Sequence, residues 1–334
     1  MKALRINAEY GVGNLQWTET ENPELKANEV LVDVKAMSLN YLDILVADGM
    51  FNNPLPHTIG SDVAGVVIET GSDVTGFTEG DRVVSHYTQD WQSGEIQEKH
   101  LASRLGVETN GIFAEQVNLP ETSWLKIPDA LSYAEAASLT IAGLTAYEAL
   151  FNVGKLKEGE TVYLQGSGGV SVAALQLAKA AKANVIITTG QPEKEQELKK
   201  LGADHVVNYK SEPLSKIKAI TAQKGVNLAI DVVGSALGET LGLMAYKGRV
   251  VNVGFLAGTT SQVDASQIIM KNLKIEGVQV GSKESYQKLL AFMTRHHIKP
   301  VIDKTFGFKD FKKALESLQK GKHIGKIVIK NEWT

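Results

Sequence analysis

Between residues 161 and 181 the chain reads strand, glycine turn, helix, and no other short stretch limits the possible folds so strongly. Thr161-Val162-Tyr163-Leu164-Gln165 is β-prone, Gly166-Ser167-Gly168-Gly169-Val170-Ser171 follows without a spacer, and Ala174, Leu175, Ala178 and Ala181 then share one helical face. A strand that runs through such a turn into a helix opens a parallel sheet, because the next strand must return by a right-handed crossover. The glycines have separate tasks. Gly166 permits the tight turn, and Gly168 lets backbone come close to a ligand. Gly169 and Val170 open the helix, where free N–H groups and the positive dipole end attract phosphate. The last position of this fingerprint is commonly a third glycine but is Ser171 here, still small enough for close helix–strand packing. The stretch implies a dinucleotide whose pyrophosphate lies on the turn from Gly166 to Ser171.

The residues downstream extend this reading into a domain. Asn184 to Thr188, His205 to Asn208, Asn227 to Val232 and Arg249 to Gly254 read as strands alternating with helical segments, the pattern of a doubly wound parallel sheet. The amino-terminal part differs. Val30 to Val34, Val63 to Glu69 and Asp81 to Ser85 are β runs broken by glycines, without strand–helix alternation, and look barrel-like. After a last strand at Leu273 to Val280 come helices at Lys283 to His297 and Lys309 to Lys320 and a closing strand at Lys326 to Lys330, which we expect to fold back onto the amino-terminal domain. At 334 residues two domains are the natural division. We expect a β-rich domain from 1–125 and 275–334, and a dinucleotide-binding domain from 126–274.

Several function classes are excluded early. With 43% hydrophobic and 22% charged residues and a net charge of -3, the chain is neither disordered nor basic enough to seek nucleic acid. No run has signal-peptide character or approaches the roughly 18 to 20 apolar residues of a membrane span, so a soluble cytoplasmic protein acting on a small molecule is expected. Cysteine is absent, which removes disulfides, thiolate nucleophiles and thiolate-ligated zinc together.

The cofactor is read at the end of the second strand, where an NAD site places an acid on the ribose 2′-hydroxyl. Here the chain runs Ile187-Thr188-Thr189-Gly190-Gln191-Pro192, with no carboxylate at the tip, and Lys194 follows. A lysine there suits a 2′-phosphate as a point charge, which favours NADPH. Thr189 and Lys194 are therefore candidate cofactor-binding residues.

Further motifs carry a family resemblance. Pro56-His57-Thr58-Ile59-Gly60-Ser61-Asp62-Val63-Ala64-Gly65, Gly80-Asp81-Arg82-Val83, Ala142-Gly143-Leu144-Thr145-Ala146-Tyr147 and the glycine turn together resemble the medium-chain dehydrogenase/reductase superfamily over nearly the whole chain. Asn40-Tyr41-Leu42-Asp43 and Leu201-Gly202-Ala203-Asp204-His205 look closest to its zinc-free, quinone-oxidoreductase-like branch. The resemblance implies a GroES-like β-barrel catalytic domain beside a Rossmann domain. It also implies that the positions holding catalytic zinc in other members are Asn40, Ser61 and roughly Ala142, which cannot replace a Cys, a His and a Cys. The histidines show no ligand spacing, and adjacent His296 and His297 diverge on a helix, so no metal site is expected.

The same resemblance proposes the chemistry. Asn40 and Tyr41 are candidates to orient or protonate an oxyanion, with Asp43 in the catalytic set more as support for their loop than as a base. Thr145 is placed near the nicotinamide carboxamide, Gly254 and Phe255 beside the ring, and Tyr209 beside the adenosine 2′-phosphate. Without a Lewis acid, acceptors that delocalise the incoming charge are the better substrates, namely quinones and activated alkenes such as enones. A metal-independent alcohol or carbonyl dehydrogenase and a non-catalytic NADPH-binding protein are the alternatives. The polar insert from Tyr87 to Gly111, with Trp91 and His100, is expected to cover the domain cleft, where it could select substrates by shape, and Leu273 to Val280 to pair two copies into a dimer.

Overall fold

The computed structural model describes residues 1–22 and 24–330, which form two units: Met1–Leu144 together with the chain from Gly281 onward, and Thr145–Val280. In chain order the first unit opens with β1 (Lys2–Ile6), β2 (Leu15–Glu19) and β3 (Glu29–Ser38), then helix α1 (Tyr41–Ala47). Next come β4 (His57–Thr58), β5 (Val63–Thr70), β6 (Arg82–Ser85), β7 (Gln116–Pro120), β8 (Trp124–Lys126) and α2 (Tyr133–Ala137). The longest of these, β3, is rich in β-branched residues and buried on both faces, so it serves as the hub: β5 and β7 both pair with it antiparallel. Where β5 crosses it, a side chain at position 65 would collide with the Asp33 carbonyl, and Gly65 allows the close approach.

The second unit begins within α3 (Leu144–Tyr147), at Thr145, and runs β9 (Thr161–Leu164), α4 (Gly169–Ala180), β10 (Asn184–Thr189), α5 (Glu195–Lys200) and β11 (His205–Asn208). It continues with α6 (Pro213–Ile220), β12 (Val226–Asp231), α7 (Leu237–Leu243), β13 (Met244–Asn252), α8 (Ala265–Lys271) and β14 (Lys274–Gly277). Its six strands are all parallel in the order β11-β10-β9-β12-β13-β14. The order reverses between β9 and β12, which makes the carboxyl end of β9 the switch point where ligands bind in such sheets. Tyr163, Ile186, Ala229 and Val250 from the strands pack with Ile217 and Leu241 from the helices, so the sheet is buried by its own crossovers.

The tail returns to the first unit as expected. After α9 (Lys283–Arg295), β15 (Ile302–Gly307) and α10 (Phe311–Gln319), strand β16 (Lys326–Lys330) pairs antiparallel with β3. Four details differ from the sequence reading. The first break between units lies at Leu144 rather than at 125, because α2 packs on β3, β5 and β6. The tail joins the first unit at Gly281 rather than at 275, and the last strand of the parallel sheet is shorter than 273–280. Trp91 is no free lid residue: it is 4% exposed, stacks on His100, and its carbonyl accepts from Lys283 N–H at the start of α9.

Candidate functional site

In the second unit the glycine turn is open in front and braced behind. Gly166 has φ +76, and a Cβ at Gly166 or Gly168 would meet nothing within 4 Å, which leaves room for a pyrophosphate. Gly166 N–H donates to Thr188 Oγ1 at 3.3 Å. Ser171 Oγ donates to the Gln165 carbonyl at 2.6 Å, so the departure from a third glycine fastens the first turn of α4 to β9. No side chain caps α4, which starts at Gly169 with Val170 in its first turn, and its leading N–H groups stay available to an anion. The neighbouring strand ends are equally firm. Asp231, fully buried, accepts from Val233 and Gly234 N–H at 2.9 Å each, and Gly254 follows β13 where a Cβ would lie 3.1 Å from the Val232 carbonyl. Phe255 beyond it is 42% exposed, whereas Thr145 on α3 is buried.

The second strand tip carries no acid but does carry a cation. Thr189 closes β10 and is buried, its Oγ1 accepting from Gln191 N–H at 3.2 Å, while Glu193 points to solvent. Lys194 behaves unlike a solvated helix-start residue. It is 5% exposed, and its ammonium donates to Ser167 Oγ at 2.9 Å, which brings a positive charge onto the glycine turn itself. Tyr209 is half exposed and lies against Gly190, where any side chain would collide with its ring. Thr189, Lys194 and Tyr209 are thus brought to one tip of the sheet, and Gly190 joins them.

In the first unit a second group of polar residues is buried where β3, β5 and β16 converge. Strand register sets it: Val328 pairs with Ser38, and Ser38 N–H donates to the Asp62 carbonyl at 2.9 Å, so Lys326, Asn40 and Asp62 arrive together from distant parts of the chain. Lys326 Nζ donates to the Leu39 carbonyl at 2.7 Å and to Asn40 Oδ1 at 2.5 Å, and lies 3.8 Å from Asp62 Oδ2. Asp62 also accepts from Ser61 Oγ at 2.7 Å and from Ile141 N–H at 3.2 Å. Asp43 Oδ2 accepts the Asn40 backbone N–H at 2.7 Å, which fixes the entry to α1.

Burial governs the charges of this cluster. It pushes the Asp43 carboxyl up to about 7, against the pull of the Asn40 N–H and Lys326, and Asp62 repels it further. Asp62 is likewise raised by burial, opposed by Lys326, Asn40 and Ser61. Lys326 is lowered by burial and held against that by Asp62 and Asp43. Such groups are tolerated inside a protein only because they face one another. Tyr41, by contrast, is 40% exposed at the first position of α1. Sequence reasoning missed Lys326, whose only local signal is a lone charge opening the buried run Ile327-Val328-Ile329.

Comparison with known proteins agrees with both units. Residues 26–129 match the family described as alcohol dehydrogenase GroES-like domain, and residues 169–295 the family described as zinc-binding dehydrogenase. A zinc-type alcohol dehydrogenase-like protein of Schizosaccharomyces pombe is 37% identical over 332 residues, covering 96% of each chain. The chain belongs to the medium-chain dehydrogenase/reductase superfamily. It is an oxidoreductase of that superfamily, with a GroES-like unit and a Rossmann-type nucleotide-binding unit. An NAD-dependent alcohol dehydrogenase of Sulfurisphaera tokodaii is 30% identical, covering 98% of this chain and 99% of its own. Acryloyl-coenzyme A reductase of Metallosphaera sedula is 31% identical over 93% and 95%. The crystal structure of Escherichia coli quinone oxidoreductase complexed with NADPH superposes with a TM-score of 0.85 at 26% identity, covering 99% and 100%.

Zinc, implied by the family's description, does not fit these residues. The Asn40 carbonyl is taken by the Lys326 ammonium, the Ser61 hydroxyl is spent on Asp62, and Ala142 offers no ligand atom. A cation beside Asp62 would meet the ammonium already there. Among the described residues no three His, Cys, Asp or Glu side chains cluster as a metal site. The glycine turn does fit a dinucleotide, which would be held at Gly166, Gly168, Gly169 and Val170, where the turn is open and α4 carries no side-chain cap. No described helix is long and apolar enough to cross a membrane.

Proposed function

We propose that this protein reduces a quinone or an activated alkene with NADPH and without a metal. NADPH, when bound, supplies the hydride. The observation that carries the metal-free part is the Lys326 ammonium, which stands among the positions where zinc-dependent relatives place their ligands. With an amide and a hydroxyl as the offered groups, the substrate must spread its own developing charge, as quinones and enones do. Asn40 then donates to the oxyanion, Tyr41 passes it a proton from its solvent-facing position, and Asp43 holds their loop. A quinone that gains one hydride and one proton becomes the hydroquinone, and NADP+ leaves. Thr145, Gly254 and Phe255 border the nicotinamide in this reading, while Lys194 and Tyr209 favour NADPH over NADH by facing the 2′-phosphate.

The deciding experiment is stopped-flow oxidation of NADPH against a panel of quinones and enones after EDTA treatment. Sustained turnover is expected; activity that disappears with EDTA and returns with zinc overturns the reading. Oxidation of secondary alcohols with NADP+ but no quinone turnover selects the dehydrogenase alternative, which the relative from Sulfurisphaera tokodaii favours.

We propose further that the active species is a dimer joined at β14. That strand is a sheet edge, all its residues are exposed, and on α8 beside it Ile269 and Met270 are 78% and 77% exposed. Antiparallel pairing of two copies about Ile275 sets each Lys274 opposite the partner's Glu276, so the edge is self-complementary in charge. Light scattering that finds only monomer defeats this proposal.

A further inference from the structure

Asn40 carries an asymmetry that its sequence position does not reveal. Its Oδ1 faces an ammonium, and an ammonium only donates, so the amide can have just one orientation, with Nδ2 as the remaining end. That Nδ2 is buried and makes no hydrogen bond of ordinary geometry, although the residue is only 8% exposed and the amide helps hold the nearby Asp62 charge. An amide has two N–H groups, and buried donors are almost always satisfied. One left without a partner, one residue before half-exposed Tyr41, awaits an acceptor.

We propose that Lys326 is the positioning residue for Asn40. Its buried ammonium locks the amide with the carbonyl on the ammonium and Nδ2 turned away from it, one N–H toward Asp62 and the other left for a substrate oxygen, and polarises that second N–H as a donor. The ammonium is itself immobilised by the Leu39 carbonyl and by Asp62, both set by the pairing of β16 and β5 with β3. The positive charge that a metal would place on the substrate oxygen is thereby delivered one amide away. This inference deepens the hydride-transfer reading above and rests on the oxyanion it generates.

Lys326→Met, Lys326→Arg and Asn40→Asp test it. In folded Lys326→Met, kcat for quinone or enone reduction is expected to fall about 10- to 100-fold, the range for a lost or misplaced oxyanion donor. The Kd for NADPH should stay unchanged, and Lys326→Arg should recover most of the loss. A separate readout needs no turnover: with selective 15N-asparagine labelling, the Asn40 side-chain amide, identified by its disappearance in Asn40→Asp, should shift in Lys326→Met and lie near its original place in Lys326→Arg. Folded Lys326→Met with unchanged kcat and an unmoved amide overturns the proposal. If that variant does not fold, Asn40→Asp decides, because it keeps an acceptor for Lys326 and loses the N–H; full activity in it also overturns the proposal. Failure of the parent enzyme to reduce any quinone or enone refutes the substrate reading, while the amide shift still decides the role of Lys326.

Discussion

Replacing Lys194 by Met should change which cofactor the protein holds, more than how firmly it holds a dinucleotide. The ammonium lies 2.9 Å from Ser167 Oγ on the glycine turn and the side chain is 5% exposed, so the charge is fixed and little screened by water. A unit charge pair at about 4 Å and an effective dielectric of about 20 attracts by about 4 kcal/mol. Dehydrating the ammonium and the phosphate returns part of this, which leaves about 1.5 to 3 kcal/mol, the usual net value of a hydrogen bond to a charged group. At 1.4 kcal/mol per decade, NADPH affinity should fall by about 10- to 150-fold. NADH has no 2′-phosphate and should lose less than about threefold. Fluorescence titration of both variants with both cofactors gives the ratio directly. An equal loss for NADPH and NADH would show that Lys194 merely braces the turn through Ser167, and no loss for either would remove it from the site; each result refutes the specificity argument.

Three other outcomes follow from the packing. His86 is fully buried, its ring nitrogen bonded to the Gly281 carbonyl at 3.1 Å, and burial lowers its pKa from 6.5 to about 4. The unfolded chain then binds the extra proton between those values, so this stability is complete above pH 6.5 and shrinks by about 3 kcal/mol as pH falls to 4. Denaturation of wild type and His86→Gln across that window should give curves of different slope, and parallel curves would contradict the assignment. Gly60→Ala should cost about 2 to 5 kcal/mol, from backbone strain at φ +88 and from collision with the fully buried Phe113 ring. Calorimetry showing Tm within about 2 °C of wild type would refute it. Glu276→Lys makes both cross-strand pairs of the proposed dimer repulsive and should weaken association by about 1 to 4 kcal/mol. Restoration by the added change Lys274→Glu is expected in sedimentation, and a dimer indifferent to either change places the interface elsewhere.

The elements and their order were legible because they depend on neighbours in the chain. Thr161 to Leu164, the glycine turn and the helix to Ala180 lie where spacing places them, since β-propensity, a tight turn and one apolar helical face are local properties. Asn40, Tyr41 and Asp43 were named from motif resemblance. What they touch was not legible: Tyr41 faces solvent, whereas Asn40 and Asp43 face inward to charges. Trp91 likewise looked like a lid residue but is buried, because nothing in an irregular polar insert states which side the core lies on.

The sequence by itself therefore determined a dinucleotide turn, a parallel sheet around it, and a loop from Asn40 to Asp43 without the residue types that hold zinc. Only the tertiary structure turned Lys194 from a presumed point charge beside a ribose into a cation seated on that turn, and brought Lys326 to Asn40 across 286 residues. The reason is the range of the forces involved. Backbone preferences act over a few residues, but the pairing of β16 with β3 and of β3 with β5 is chosen by burial of the whole sheet. A lysine becomes an internal cation only once that burial has chosen its partners.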